Sequence, residues 1–280
     1  MSTGTSPGFT RRCLAGALML GLGAWSSSAS AIERVDLELV IATDVSYSID
    51  EAEARLQREG VASAFMSRAV VQAVRSGPLR KIAVAYIDYS SRAYNRVIVD
   101  WRVIHDEGSA AAFSRALLAA PLGSGRHTSI SDAVEFAAEM LATNGFDGTR
   151  RVIDVSGDGP NNFGRLVNHV RDETVARGIA INGLPIMNEN DRFNSRYYLP
   201  DLDRYYEGCV IGGPGAFIVV ARDFKDFARA IRQKLVLEIA GRSPSSSVLP
   251  VQYLAPVYEK GCDIGERMRG GRFGYEQYEP

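Results

Sequence analysis

Short apolar runs alternate along the chain with segments whose apolar residues recur every three or four positions. Continuous apolar runs are typical of buried parallel strands, and the three-to-four spacing is typical of amphipathic helices. The runs predict strands at 36–43, 81–89, 94–104, 150–156, 178–187 and 216–221. The spaced segments predict helices at 50–75, 110–118, 163–170 and 224–235, and one that begins at Thr128. The alternation predicts an α/β fold with a doubly wound, mostly parallel sheet flanked by helices.

Two connections depart from this alternation. Only a polar turn around Ser90 to Arg92 separates two of the strands, which is too short for a parallel crossover and predicts one antiparallel strand at the sheet edge. The segment 191–209 is polar and rich in tyrosine, which predicts a surface excursion with a short helix. Its Tyr197, Tyr198, Tyr205 and Tyr206 fit either a contact surface or packing onto the core.

Three short oxygen-bearing side chains follow the first strand. Asp44, Ser46 and Ser48 stand in the run Ile-Ala-Thr-Asp-Val-Ser-Tyr-Ser. A few protein oxygens, with water at the other positions, is how proteins hold a hard divalent cation such as Mg²⁺. The same residue types also favour turns and helix N-caps, so Ser48 or Asp50 would serve equally well as the cap of the next helix.

Two further segments place candidate ligands near the same edge of the sheet. The run Gly-Arg-His-Thr-Ser-Ile delivers Thr128 to the start of a helix, and the strand at 150–156 leads into Asp158 and Gly159. In open α/β sheets, ligands bind at the carboxyl ends of the strands. The predicted fold therefore brings Asp44, Thr128 and Asp158 together.

With these three segments in order, the chain resembles the von Willebrand factor A domain over roughly residues 35–240. The metal-ion-dependent adhesion site of that family uses Asp-x-Ser-x-Ser after the first strand, a threonine in a second loop and an aspartate after the fourth strand. The resemblance implies a metal site made of Asp44, Ser46, Ser48, Thr128 and Asp158. It is closest to a branch of secreted bacterial proteins of unknown function, which the runs 156–162 and 212–216 resemble in particular.

The resemblance implies a non-enzymatic binding module. Ser46 and Ser48 would ligate Mg²⁺ or Mn²⁺ directly, Thr128 would ligate in one state of the site, and the two aspartates would supply negative charge directly or through water. An acidic residue of a protein partner would complete the coordination. Two alternatives stay open: a phosphatase-like, metal-dependent hydrolase, since acidic loops at strand ends also serve phosphoryl transfer, and a scaffold domain whose site holds no metal. Against the hydrolase, the first loop lacks a second aspartate at the position such an enzyme would use.

The N-terminus has the pattern of an export signal. Arg11 and Arg12 precede an apolar run at 13–25, and Ala29-Ser-Ala31 resembles a cleavage site. The run is too short to span a bilayer comfortably. Residues 1–31 are thus predicted to be a signal peptide, by the ordinary or the twin-arginine route, and the mature protein to be bacterial, periplasmic or secreted, without a stable membrane span. The domain is predicted at 32–241, followed by a flexible tail at 242–280.

Composition narrows the choice of partners. The 32 Lys and Arg residues balance 33 Asp and Glu residues, which disfavours a nucleic-acid partner. After the signal peptide, Cys209 and Cys262 remain, and either a disulfide or two separate thiols fits the sequence. An oxidising compartment favours the disulfide.

Several polar residues near the candidate site have structural explanations. Asp88 is predicted to be a solvated turn acid rather than a carboxylate behind the metal ligands, and His127 an exposed loop residue. Asp154 is predicted to pair with a basic residue or to face a polar edge. Asn161 and Asn162 fit either the rim of the site or a turn.

Overall fold

Seven strands form two sheets in the computed structural model, which describes residues 1–4, 32–188, 197–241 and 257–270. The strands are β1 (Glu33–Val35), β2 (Glu38–Asp44), β3 (Ile82–Tyr89), β4 (Arg96–Ile104), β5 (Phe146–Gly148), β6 (Arg151–Gly157) and β7 (Ala180–Pro185). The main sheet has the order β4-β3-β2-β6-β7, and β1 pairs with β5 separately. All neighbours in the main sheet are parallel except β3 and β4. The predicted mostly parallel sheet with one antiparallel edge strand is therefore confirmed.

Eight α-helices surround the sheet in the described residues. They are α1 (Glu51–Met66), α2 (Arg68–Ser76), α3 (Glu107–Ala119), α4 (Ile130–Ala142), α5 (Val167–Ala176), α6 (Leu202–Tyr205), α7 (Phe227–Ile239) and α8 (Ile264–Gly270). The single helix predicted at 50–75 is two helices. Ser67 has extended backbone angles and ends α1, and its Oγ accepts a hydrogen bond from Val70 N at 3.3 Å to cap α2.

The sheet separates two hydrophobic layers. Successive side chains of a strand point to opposite faces, so Leu39 and Ile41 pack in the layer that α1, α2, α3 and α7 form. Val40 and Ala42 pack in the other layer, with α4, α5 and the π-helical turn at Tyr206–Val210. Tyr205 and Tyr206 are fully buried there, so these two tyrosines pack onto the core.

The strand predicted at 216–221 is not a regular strand. Only Ile218 and Ala221 form isolated parallel bridges, to Gly183 and Ile186 beside β7. The N–H of Phe217 donates to Asn182 Oδ1 at 2.9 Å instead of to a strand neighbour. Backbone hydrogen bonds nevertheless join the segment to β7, from Gly183 N to Phe217 O at 3.1 Å and from Ala221 N to Pro185 O at 3.0 Å. Pro185 has no N–H with which to continue the ladder between these bonds, so the predicted strand is reduced to isolated bridges.

The C-terminal region differs from the prediction in part. Residues 257–270, which the sequence assigned to a flexible tail, contain α8 and Cys262. Cys262 forms a disulfide with Cys209, with a Cα–Cα distance of 5.5 Å, so the disulfide alternative is confirmed and this part of the tail is attached to the domain. The predicted signal peptide, apart from residues 1–4, and the tail residues 242–256 and 271–280 lie outside the described residues, and the domain limits stay predictions. Among the helices of the described segments, none is both long and apolar enough to cross a bilayer.

A buried group of charges fixes α7 against β6. Lys234 Nζ lies 2.6 Å from Asp154 Oδ1 and 2.9 Å from Glu238 Oε1, and all three side chains are almost fully buried. Asn182 donates to the same Glu238 oxygen at 2.6 Å. The predicted pairing of Asp154 with a basic residue is confirmed. Burial and the charge of Glu238 raise the pKa of Asp154 to about 7, against the opposing effect of Lys234.

We predict that Lys234→Met lowers the free energy of unfolding by about 3–5 kcal/mol, because it leaves two buried carboxylates without their cation. Without Lys234, the pKa of Asp154 rises further above that of the unfolded chain. The stability difference between the wild type and the variant should then grow as pH rises from about 5 to about 8, because ionising the buried Asp154 carboxyl costs more free energy without Lys234 beside it. Urea unfolding at both pH values measures this stability difference. Lys225→Met, at an exposed lysine, is the matched control. A deficit that shrinks with rising pH would contradict this explanation.

Candidate metal site

The first loop of the candidate site is organised by Asp44 at the end of β2. Its Oδ1 accepts a hydrogen bond from Ser46 N at 2.8 Å, which turns the chain sharply after the strand. The cap of α1 is Asp50, which accepts from Glu53 N at 2.8 Å, while Asp50 N donates to the Glu53 carboxylate at 3.0 Å. Helix capping therefore does not use Ser48, and both serine hydroxyls face the other site residues.

The structure brings all five predicted site residues together. Ser46 Oγ and Ser48 Oγ lie 3.2 Å apart, and Thr128 Oγ1 donates to Ser46 Oγ at 3.1 Å. Ser48 Oγ donates to Asp158 Oδ1 at 2.9 Å. Three separate loops thus contribute to one group of oxygen atoms at the carboxyl edge of the sheet.

The loop that carries Thr128 is fixed by its neighbours. Thr128 N donates to Asn162 Oδ1 at 3.1 Å, and Asn162 N donates back to Thr128 O at 2.8 Å. The helix that follows begins at Ile130 with Ser129 as its cap, two residues later than predicted. Asn161 and Asn162 are buried and connect the second and third loops, so they are not a simple exposed turn.

Two tyrosines that sequence reasoning did not connect with the site lie beneath it. A Cβ placed on Gly157 would lie 2.8 Å from Tyr89 Oη, 3.1 Å from Asp44 Oδ2 and 3.1 Å from Tyr206 Oη. The absence of a side chain at Gly157 is what allows these three groups to approach one another. Tyr89 donates to Ser156 O at 3.1 Å. Tyr206 belongs to the tyrosine-rich excursion, and its position under Asp44 depends on tertiary packing.

The electrostatics of Asp44 favour a cation. Its side chain is fully buried, and its Oδ2 has no hydrogen-bond partner among the described residues. Burial raises the pKa of Asp44 well above its usual value, and the nearby charge of Asp158 raises it further, against the hydrogen bonds from Ser46. Two carboxylates and three hydroxyls are ligands that a hard divalent cation accepts. The residues present therefore fit the metal that the sequence pattern implies.

Hydroxyl groups come from three of the five residues of the candidate site. In the described segments, no three or more His, Cys, Asp and Glu side chains converge as a metal-binding group. The candidate site contains only two carboxylates, and Ser46, Ser48 and Thr128 supply its remaining side-chain oxygens. Because hydroxyl ligands are neutral, such a site would neutralise the charge of a cation only in part and would leave positions for water or another ligand.

The two neighbouring residues Asp88 and His127 differ from their predictions. Asp88 is buried and pairs with Arg58 at 2.8 Å, so its assignment as a solvated turn acid is wrong. Burial raises the pKa of Asp88 to about 6, although the Arg58 cation lowers it. His127 is half-buried rather than exposed, and its ring stacks on Phe163 with a centroid distance of 4.7 Å.

Residues 34–243 match the model of the family described as "Protein of unknown function (DUF1194)". The chain belongs to this family. The match covers the whole main sheet and α1 to α7, and it ends before Cys262 and α8. A comparison with curated proteins finds no match.

Solved structures confirm the von Willebrand factor A fold. The pilus adhesin SpaC from Lactobacillus rhamnosus GG aligns with a TM-score of 0.54 at 15% identity, over 74% of this chain and 31% of the adhesin. Proximal thread matrix protein 1 from the mussel byssus gives 0.50 at 13% identity, over 74% and 48% of the two chains. A von Willebrand factor type A protein from Catenulispora acidiphila gives 0.50 at 13% identity, over 73% and 43%. This chain spans less than half the length of each, and at these identities the likeness shows the fold alone.

We predict that Asp44→Asn stabilises the metal-free protein at neutral pH. The amide keeps the acceptor for Ser46 N and removes a buried charge. The pKa of Asp44 is raised in the folded protein. The metal-free wild type should therefore lose stability as pH rises from the pKa of Asp in the unfolded chain, about 4, towards the raised pKa in the folded protein. The variant should lack this slope and should therefore be more stable than the metal-free wild type at neutral pH.

Urea unfolding with a chelator, followed from about pH 5 to about pH 8, measures the effect. Glu139→Gln, which neutralises an exposed carboxylate on α4, is the matched control and should retain the wild-type slope. Equal slopes for the wild type and Asp44→Asn would show that Asp44 does not carry the buried charge.

Proposed function

We propose that this chain is an exported, non-enzymatic module that binds a protein partner through a divalent cation. The cation would be held by Asp44, Ser46, Ser48, Thr128 and Asp158. The observation that carries the proposal is the convergence of three loops on the buried Asp44 carboxylate, whose Oδ2 has no hydrogen-bond partner among the described residues.

The donor types suggest how the partner is recognised. Ser46, Ser48 and Thr128 are neutral ligands, so they leave the charge of the cation only partly neutralised. Asp44 and Asp158 supply negative charge directly or through water. A carboxylate from an Asp or Glu of the partner then completes the coordination, and both Mg²⁺ and Mn²⁺ accept such oxygen ligands.

Independent features support export and a binding role. The N-terminal apolar run with its Ala-x-Ala site suits secretion, and the Cys209–Cys262 disulfide suits an oxidising compartment. A pilus adhesin shares the fold. The hydrolase alternative needs a second acid in the first loop, but the next acidic residue, Asp50, is engaged in capping α1.

We predict that calorimetry detects binding of Mg²⁺ and Mn²⁺ to the mature protein and that the double variant Ser46→Ala, Ser48→Ala abolishes it. The reason is that the variant removes two ligands while leaving the buried sheet unchanged. Ser76→Ala, which removes an exposed hydroxyl at the end of α2, is the control and should bind as the wild type does. Unchanged affinity in the double variant would refute the site assignment.

A second prediction concerns the open coordination position. In the Mn²⁺-loaded protein, acetate should displace metal-bound water, because it offers the same carboxylate that the partner would present. The measurement is the longitudinal relaxation rate of water protons, which should fall as acetate is added. Acetamide, which lacks the charge, is the control ligand. A relaxation rate that acetate leaves unchanged would mean that no ligand position is open to a carboxylate.

A further inference from the structure

The residues 257–270, here called the C-terminal clip, pack directly on the third loop of the candidate site. Gly265 of α8 approaches the backbone so closely that a Cβ there would collide with Asn161 O. Asn161 stands three residues after Asp158, in the same loop. The clip therefore contacts the backbone that carries one of the proposed charge-supplying residues.

Polar contacts extend this packing along the loop. Asn161 Nδ2 donates to Glu266 Oε1 at 2.7 Å. Arg269 Nη1 donates to Asn162 O at 3.3 Å, and the Arg269 guanidinium lies 4.8 Å from the centre of the Phe163 ring. Three consecutive loop residues are thus held by two side chains of α8.

The same two asparagines hold the second loop. Asn162 Oδ1 accepts from Thr128 N at 3.1 Å, and Asn161 Oδ1 accepts from Ser131 N at 2.9 Å. Asn161 contacts Glu266 and Ser131 through the two ends of its side-chain amide, whereas Asn162 contacts Arg269 through its backbone carbonyl and Thr128 through its side chain. A displacement of the clip would consequently be transmitted through these two residues to the segment that contains Thr128 and Ser131.

The disulfide connects the clip to a second element next to the site. Cys209 lies in the π-helical turn that starts at Tyr206, whose hydroxyl group is close to Asp44. The preceding residue, Tyr205, accepts from Asn161 N at 3.1 Å, and its ring centre lies 5.6 Å from that of Tyr258 in the clip. The Cys209–Cys262 bond thus joins two elements that contact the site from different sides.

We infer that the C-terminal clip is a positioning element of the metal site, in which Glu266 and Arg269 hold Asn161 and Asn162 and so set the positions of Thr128 and Asp158. The family match ends at residue 243, so the clip is outside the part of the chain that defines the family. The inference rests on the proposed function for its metal, but the contacts that carry it exist without one.

Hydrogen exchange of the metal-free protein tests the positioning directly. Glu266→Ala should speed exchange at the amides of Thr128, Ser131, Asn161 and Asn162, while the Ser46 amide, which bonds to Asp44, should keep its rate. Glu266→Gln keeps an acceptor for Asn161 Nδ2 and should restore the wild-type rates. Glu259→Ala removes an exposed acid from the same segment and is the matched control. Unchanged exchange at the four amides, or a uniform increase across the domain, would overturn the inference.

Calorimetry with Mg²⁺ provides the second readout. Glu266→Ala should weaken binding by about 10-fold, as outer contacts of metal ligands commonly do, and Glu266→Gln should recover it. Metal binding by the wild type that neither variant changes would overturn the positioning role. If the wild type binds no metal, the proposed function fails, and the exchange rates alone decide whether the clip positions the loops.

Discussion

Burial of the Asp44 carboxylate beside Asp158 is the constraint on which the rest of the site depends. Burying an ionised group away from water costs free energy unless neighbouring groups compensate its charge. Here one oxygen accepts from Ser46 N, and the other has no hydrogen-bond partner in the described part of the chain. Three features surround this carboxylate: the turn after β2, the absence of a side chain at Gly157, and the hydroxyl groups of the site. Together they compensate the negative charge of Asp44 only in part.

The candidate site was predictable from the sequence because its residues follow strands. Asp44 and Asp158 come directly after buried runs, and the parallel arrangement of β2 and β6 brings the ends of those runs together. Asp88 was misassigned for the opposite reason. Its partner Arg58 is 30 positions away on a different element, and no local pattern shows that two such residues meet in the core. The break at Ser67 was missed because the helical spacing of apolar residues continues through it.

The structure of the C-terminal clip could not be predicted from the pattern of apolar residues. Its helix α8 has only seven residues, too few to show a clear apolar periodicity, and the glycine- and serine-rich sequence around it is typical of linkers. What holds α8 in place is a covalent bond from Cys262 and the contacts of Gly265 and Glu266 with a loop about a hundred residues earlier. The sequence shows the two cysteines, but it does not show that α8 lies between the disulfide and the candidate site.

The buried charges around Lys234 fix the rotation of α7 about its own axis relative to the sheet. Lys234 and Glu238 are one helical turn apart and face Asp154 and Asn182 on two adjacent strands. Deleting one residue in the first half of α7 would rotate Lys234 and Glu238 together by about 100° and place Leu235 opposite Asp154. Variation in the length of α7 should thus be much rarer among functional relatives than variation in the size of its apolar residues.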